Sequence, residues 1–310
     1  MVVKSGGEAA LAEWQGCFAE FLPGLSLRWW DDPALDPAAV DYALVWAPEP
    51  GRLRQFRNLK AIFGAGAGVD LITRDPDWPR HVPLVRCVPP EAGQRMAEYV
   101  IWAALSIVRD APRMAVAQQA CQWDEFEPER TARDYLIGIM GLGAIGQAVA
   151  QALQAVGFQV QGWSRSRKHM AGMQCFAGEN ERDAFLASTD ILVCLLPATP
   201  DTAGIIAAPL LRLLPKGAAL IQVGRGIHHQ MPDILAALDT GQLSGAIMDV
   251  FEQEPLPADH PAWRHPRITI SPHNASTPTR RERARFIAGA IQALQRGEAL
   301  SCLYDPKRGY

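Results

Sequence analysis

Six residues in the middle of the chain, Gly141-Leu142-Gly143-Ala144-Ile145-Gly146, have the glycine spacing of a phosphate-binding turn. The apolar run Ile137–Met140 leads into them, and Ala144–Val156 carries apolar residues at helical spacing. In such a strand–turn–helix unit the first glycine makes the turn and the second lets backbone approach a pyrophosphate. The third lets the helix pack on the strand, with its N-terminus facing the phosphates. A glycine turn without a ligand is the bland alternative, and the strand-to-helix context favours a dinucleotide.

The next strand, Gln159–Trp163, tests which dinucleotide. A carboxylate at its end would bond a ribose 2′-hydroxyl and repel a 2′-phosphate. Here the strand runs into Ser164-Arg165-Ser166-Arg167-Lys168, two hydroxyls and three cations with no acid. Such runs are often solvated loops. At this discriminating position the residues suit a phosphate, so NADP is expected, with NADPH preferred and NAD possible.

Two further residues could act on a carbonyl. Arg225 lies between Gly224 and Gly226 after the strand Ala219–Val223, at the end where ligands bind open sheets. Its planar fork suits a carboxylate and an adjacent carbonyl oxygen. An arbitrary arginine there would more often be a surface residue. His273 follows the strand Ile268–Ile270, and an imidazole is a natural proton donor near neutral pH. Six other histidines show how often the residue is merely structural. A carboxylate upstream, Glu254, could favour the imidazolium and fix the ring, whereas Glu252 reads as a solvated neighbour.

These groups need elements to hold them. Strands are expected at Ser26–Trp30, Ala43–Trp46, Ala61–Phe63 and Leu84–Cys87, then at Ile137–Met140, Gln159–Trp163, Ile191–Leu195, Ala219–Val223, Ala246–Met248 and Ile268–Ile270. Helical spacing occupies Gly7–Phe21, Ala144–Val156, Glu181–Ser188, Ala208–Leu214 and Pro232–Asp239, and a single long helix is expected over Glu91–Gln119. Alternating strands and helices predict parallel sheets covered on both faces. The second series, with six strands, is what a doubly wound dinucleotide-binding sheet requires.

The 310 residues allow two domains, and the 48% hydrophobic content suits a sizeable core. A net charge of −3 disfavours a nucleic-acid partner. The six scattered cysteines contain no C-x-x-C pair and read as reduced thiols of a cytoplasmic protein. No apolar stretch is long enough for a membrane span, and no signal peptide is evident.

Taken in order, Gly64-Ala65-Gly66-Ala67-Gly68-Val69-Asp70, the 141–146 turn, Val223-Gly224-Arg225-Gly226, Asp249 to Pro257 and Pro272-His273 resemble the D-isomer-specific 2-hydroxyacid dehydrogenases. Tyr42–Trp46, Trp163–Lys168 and the terminal Arg308-Gly309-Tyr310 are most similar to the bacterial glyoxylate/hydroxypyruvate reductase A type. The resemblance spans essentially the whole chain. It implies an α/β fold of two doubly wound parallel-sheet domains. A Rossmann cofactor domain (residues 96–275) is inserted into a flavodoxin-like substrate domain (1–95 and 276–310), with the active site in the cleft and the protein a homodimer. It implies Arg225 as carboxylate clamp, His273 as acid and Glu254 as its partner. Trp46, Gly66, Ala67 and Gly68 would line a small 2-keto or 2-hydroxy acid. Leu196, Pro197, Thr202, Val223, Gly224 and Asp249 would flank the cofactor, with Asp249 accepting from the nicotinamide carboxamide. Two departures stand beside these positions: Gln222, where asparagine is common, and Asn274 after the histidine.

The expected activity is NADPH-dependent reduction of a small 2-keto acid such as glyoxylate or hydroxypyruvate. Two alternatives keep the fold: a dinucleotide-sensing protein without catalysis, and a reductase of bulkier 2-keto acids. The absence of long disordered arms weighs against the first. Pocket size, which separates the second, is not legible in the sequence.

Overall fold

A computed structural model describes all residues, 1–310. The chain divides into two compact units, Met1–Glu91 with Thr277–Tyr310, and Ala92–Ser276.

The first unit is built from β1 (Val2–Lys4), α1 (Leu11–Phe21), β2 (Arg28–Trp29), β3 (Tyr42–Val45), β4 (Ala61–Gly64), α2 (Asp70–Thr73) and β5 (Leu84–Val85). Its strands are all parallel, in the order β2-β1-β3-β4-β5. Successive side chains go to opposite faces. Val3, Leu44 and Phe63 pack with Trp14 and Phe18 of α1, while Val2, Val45 and Ile62 pack with Trp30, Leu53 and Trp78. Because both faces are covered, the strands are unbroken apolar runs and do not alternate.

The second unit begins with α3 (Pro90–Val108), whose first turn straddles the boundary, and α4 (Ala111–Gln119). Then come β6 (Leu136–Met140), α5 (Ala144–Val156), β7 (Gln159–Ser164), β8 (Gln174–Ala177), α6 (Arg182–Ala187) and β9 (Ile191–Cys194). It continues with α7 (Ala208–Leu211), β10 (Ala218–Gln222), α8 (Met231–Asp239), β11 (Leu243–Met248) and β12 (Ile268–Ile270). The parallel sheet has the order β12-β11-β10-β9-β6-β7-β8. Strand order reverses between β6 and β9, and ligands of doubly wound sheets bind beyond the strand ends at such a point. Ile137, Ile139, Ile191 and Val193 face Val100, Val149 and Leu153, whereas Met140, Leu192 and Cys194 face Phe185, Ile234 and Leu238.

The chain then returns to the first unit through α9 (Arg280–Gln295). A capping box of Thr279 and Glu282 starts this helix, and Ala284, Ile287 and Ile291 bury against Trp14 and Phe18. Ion pairs from Arg280 to Glu13 and from Arg281 to Glu20 line the rim of that contact. The tail finishes beside β5, where Arg86 N–H donates to Cys302 O at 2.9 Å and Tyr304 N–H to Leu84 O at 2.8 Å.

Three elements differ from the sequence expectation. The single helix over Glu91–Gln119 is two helices, broken at Arg109 and Asp110, with Asp110 at φ 50°. Pro112 has no N–H for the Val108 carbonyl, so it is accommodated in the first turn of a new helix. The cofactor-type sheet has seven strands where six were expected. The extra β8 is a half-exposed edge strand, and its sequence Gln-Cys-Phe-Ala lacks an apolar run. Finally, β1 is only three residues long and already ends in Lys4, which hides it despite its interior place in the sheet.

Candidate active site

At the strand-order reversal, the turn after β6 has the shape its glycines imply. Gly141 has φ +110°, and a Cβ on it would lie 2.6 Å from the Leu195 carbonyl oxygen. A Cβ on Gly146 would lie 1.9 Å from the Gly141 carbonyl oxygen, so α5 can approach the turn only without a side chain there. A Cβ on Gly143 would meet nothing within 4 Å. Open space therefore lies over the α5 N-terminus, where the first-turn N–H groups, including those of Ala144 and Ile145, lack intrahelical acceptors. This cradle fits an anionic pyrophosphate.

The basic run after β7 does not behave as one cluster. Ser164 is buried, and its hydroxyl donates to Ser166 O at 2.8 Å, which tightens the turn. Arg167 is committed elsewhere: it pairs with Glu181 and donates to Cys175 O. Arg165 and Ser166 stand exposed at the tip. Beyond β9, Leu196 is buried, and the Thr202 hydroxyl closes the following loop by donating to Pro197 O at 2.7 Å.

The second unit brings Arg225, Glu254 and His273 onto the C-terminal side of the β10, β11 and β12 strands. Val223 and Gly224 are buried, and half-buried Arg225 donates from Nη1 to Gly224 O at 2.8 Å. A Cβ on Gly226 would fall 2.0 Å from Phe251 O, so the residue after the arginine must be glycine for the two loops to pack. The Phe251 N–H donates to Glu254 Oε1 at 2.9 Å, and Glu254 Oε2 lies 2.7 Å from His273 Nδ1. Burial would raise the Glu254 pKa. The bonds from His273 and the Phe251 N–H, with the charge of Arg225, outweigh it and hold the carboxyl below its ordinary value. With Nδ1 facing Glu254, Nε2 is the ring nitrogen left to face a substrate.

His273 itself is strained, at φ 52°. Asp249 holds it there. Its main-chain oxygen accepts from His273 N–H at 2.9 Å, and its buried carboxylate accepts from Asn274 N–H at 3.0 Å and Ala275 N–H at 3.1 Å. Ser271 also donates to Asp249 and is bonded in turn to the Tyr99 hydroxyl of α3. Burial pushes the Tyr99 phenol up to about 12, so this chain stays protonated. Asp249 thus has a definite task besides any contact with a cofactor.

In the first unit, Trp46 follows β3, and its ring edge would touch a Cβ on Gly66 at 3.1 Å. The indole therefore lies over bare backbone. Gly66, Ala67 and Gly68 are partly exposed in the turn after β4, which is anchored by Cys87 N–H donating to Gly66 O and by Arg283 Nη1 donating to Ala65 O.

Tyr99, Ser271 and His228 touch these loops and were not assigned roles from sequence. Ser271 and His228 lie within three residues of a motif residue, the only signal that could have singled them out.

A profile described as "D-isomer specific 2-hydroxyacid dehydrogenase, NAD binding domain" matches residues 101–275. A D-isomer specific 2-hydroxyacid dehydrogenase from Xanthobacter autotrophicus Py2, solved with NADPH and MES, is 37% identical. That match covers 100% of this chain and 99% of the other, with a TM-score of 0.93. A family protein from Klebsiella pneumoniae 342 is 40% identical over 99% of this chain and 97% of its own, with a TM-score of 0.89. An NADPH-dependent glyoxylate/hydroxypyruvate reductase from Sinorhizobium meliloti, solved with NADP and sulfate, is 34% identical. It covers 100% of this chain and 99% of its own, with a TM-score of 0.91.

Proposed function

Because this chain belongs to the D-isomer-specific 2-hydroxyacid dehydrogenase family, we propose that it reduces a small 2-keto acid of the glyoxylate or hydroxypyruvate type with NADPH. The observation that carries the proposal is the 2.7 Å Glu254–His273 pair, set on the same sheet as Arg225 and the Gly141–Gly146 cradle.

Bound in that cradle, the reduced cofactor supplies the hydride. Arg225 holds the substrate carboxylate and the carbonyl oxygen, which fixes the face presented for attack. Within the first unit, the amides of Ala67 and Gly68 are the proposed carboxylate donors, with Trp46 beside them. As negative charge develops on the carbonyl oxygen, His273 donates the proton from Nε2, and Glu254 stabilises the imidazolium beforehand. The product is the 2-hydroxy acid. Leu196, Pro197, Thr202, Val223, Gly224 and Asp249 flank the cofactor, and Arg165 and Ser166 receive the 2′-phosphate on the turn that Ser164 shapes. Arg167 contributes only through its ties to Glu181 and Cys175.

The test is loss of NADPH absorbance with glyoxylate, hydroxypyruvate, pyruvate and phenylpyruvate. The two small substrates are expected to give the highest kcat/KM, and no turnover with any of the four would overturn the reading. Comparable kcat/KM with NADH would remove the cofactor preference. Ser164→Asp with Arg165→Ala should shift preference towards NADH, because the carboxylate repels a 2′-phosphate.

A homodimer also belongs to this reading. The α4 helix buries no residue, and it leaves Met114 and Val116 exposed, with Trp102 and Leu105 of α3 and the 91%-exposed Trp123 nearby in sequence. A second copy of the chain is the proposed cover. No helix is long and apolar enough to cross a membrane, and all six cysteines are free thiols, which supports a cytoplasmic location.

A further inference from the structure

A fully buried imidazole lies beneath the clamp. After β10 the chain turns through Gly224 and Arg225 into one short helical turn, Gly226–His228, which folds the His228 ring back under Gly224. A Cβ on Gly224 would sit 2.7 Å from Nδ1 of that ring, so the fit depends on the glycine. Nδ1 lies 3.0 Å from the Arg225 backbone nitrogen, and Nε2 lies 3.1 Å from the Pro197 carbonyl oxygen. An amide N–H can only donate and a carbonyl can only accept. The ring therefore accepts at Nδ1 and carries its proton on Nε2. Pro197 O also accepts from the Thr202 hydroxyl. Main-chain bonds from Gly204 N–H to Ile227 O and from Ile206 N–H to His228 O, both 2.8 Å, stitch the same two segments together.

We propose that His228 is a positioning residue that fixes the substrate clamp relative to the loop flanking the cofactor. Its two nitrogens join the Arg225 main chain to the Pro197–Thr202 loop, so a loop ordered by bound cofactor would also order Arg225. The inference rests on the functional reading above in taking Arg225 as the carboxylate clamp and Pro197–Thr202 as cofactor-flanking. A consequence is reciprocal coupling: an anionic, unreactive substrate analogue such as oxalate should tighten NADPH binding, and NADPH should tighten oxalate binding by the same factor.

Two conservative variants separate the two nitrogens. Asparagine places its amide near the Nδ1 position, so His228→Asn keeps an acceptor for Arg225 N–H and loses the bond to Pro197. Glutamine reaches the Nε2 position, so His228→Gln keeps a donor to Pro197 and leaves Arg225 N–H without its acceptor. One net hydrogen bond corresponds to a change of roughly 5- to 10-fold. His228→Asn should weaken NADPH binding, read by nucleotide fluorescence, by about that factor, with keto-acid KM changed less than about 2-fold. His228→Gln should show the opposite split, with KM raised and NADPH Kd nearly unchanged. Both should lose the effect of oxalate on NADPH binding. A purely structural histidine would lower Tm in both variants and move Kd and KM together, and that result would overturn the proposal.

If the variants do not fold, the imidazole ¹⁵N spectrum of the intact protein decides. His228 is expected as the Nε2–H tautomer, with resonances that move on adding NADPH and again on adding oxalate. An Nδ1–H tautomer, or no response to oxalate, would refute it. Neither the fluorescence nor the spectrum requires turnover. A protein that couples NADPH to oxalate yet reduces no keto acid would defeat the functional reading and leave the bridge standing.

Discussion

His273 combines a strained backbone with a carboxylate on one ring nitrogen, and the proposed function adds a reacting oxygen at the other. The proposed reduction draws its proton from this ring. Glu254, held ionised below the ordinary carboxylate range, favours the charged ring. Removing its charge in Glu254→Gln should lower kcat and leave NADPH Kd little changed, as read from steady-state kinetics and nucleotide fluorescence. The stability Glu254 lends is present above the ordinary carboxylate pKa and is lost as pH falls through its depressed value. His273→Ala should lose roughly two to four orders of magnitude in kcat, with NADPH Kd little changed. Arg225→Ala should raise KM and lower kcat together, because one guanidinium both binds and orients. A His273→Ala enzyme with near-normal kcat would end this assignment of roles.

At the scale of elements, rigid loops make that chemistry possible. Asp249→Asn places an amide N–H₂ against one of the Asn274 and Ala275 N–H groups, each of which bonds a different carboxylate oxygen. It should cost about 1–3 kcal/mol of stability and depress kcat more than it raises KM, because the His273 loop loses its anchor. Gly146→Ala should abolish NADPH binding outright, since its Cβ has nowhere to go. The turn was legible in the sequence because glycine spacing encodes steric facts directly, and α5 was legible because its apolar period is regular and Gly157 ends it. The Gln159–Trp163 strand was legible too, but the fate of the cations after it was not. Which of Arg165, Arg167 and Lys168 meets a ligand depends on Glu181, a residue brought near by β8, an edge strand too polar to be read. The break in the 91–119 helix was missed because helical spacing continues on both sides of Pro112, which starts a second helix. Asp249 shows the same limit: its motif suggested a ligand contact, and its partners lie on a different strand's loop.

For the whole molecule, stability and assembly give separate handles. His229 is buried in the second unit, where burial pushes its pKa from 6.5 down to about 4. Above 6.5 the ring is neutral in both folded and unfolded chains and has no effect. As pH falls from 6.5 towards 4 the unfolded chain takes up a proton that the folded one refuses, so stability is lost, levelling off below 4. The loss amounts to about 3 kcal/mol in denaturant unfolding, and His229→Leu should flatten it. Assembly is read by sedimentation: Val116→Asp with Trp102→Glu should convert a dimer to monomer, and an unchanged mass would place the interface elsewhere.

The route of the chain has a consequence for its birth. The second unit is one uninterrupted stretch, Ala92–Ser276, and can close its sheet as soon as it has left the ribosome. The first unit cannot, because Trp14 and Phe18 wait for α9 and the β5 edge waits for Cys302 and Tyr304. The half made first is therefore completed last. A nascent chain stalled before residue 277 would hold a finished nucleotide fold and an open apolar sheet, which makes that stalled form the one in greatest need of a chaperone.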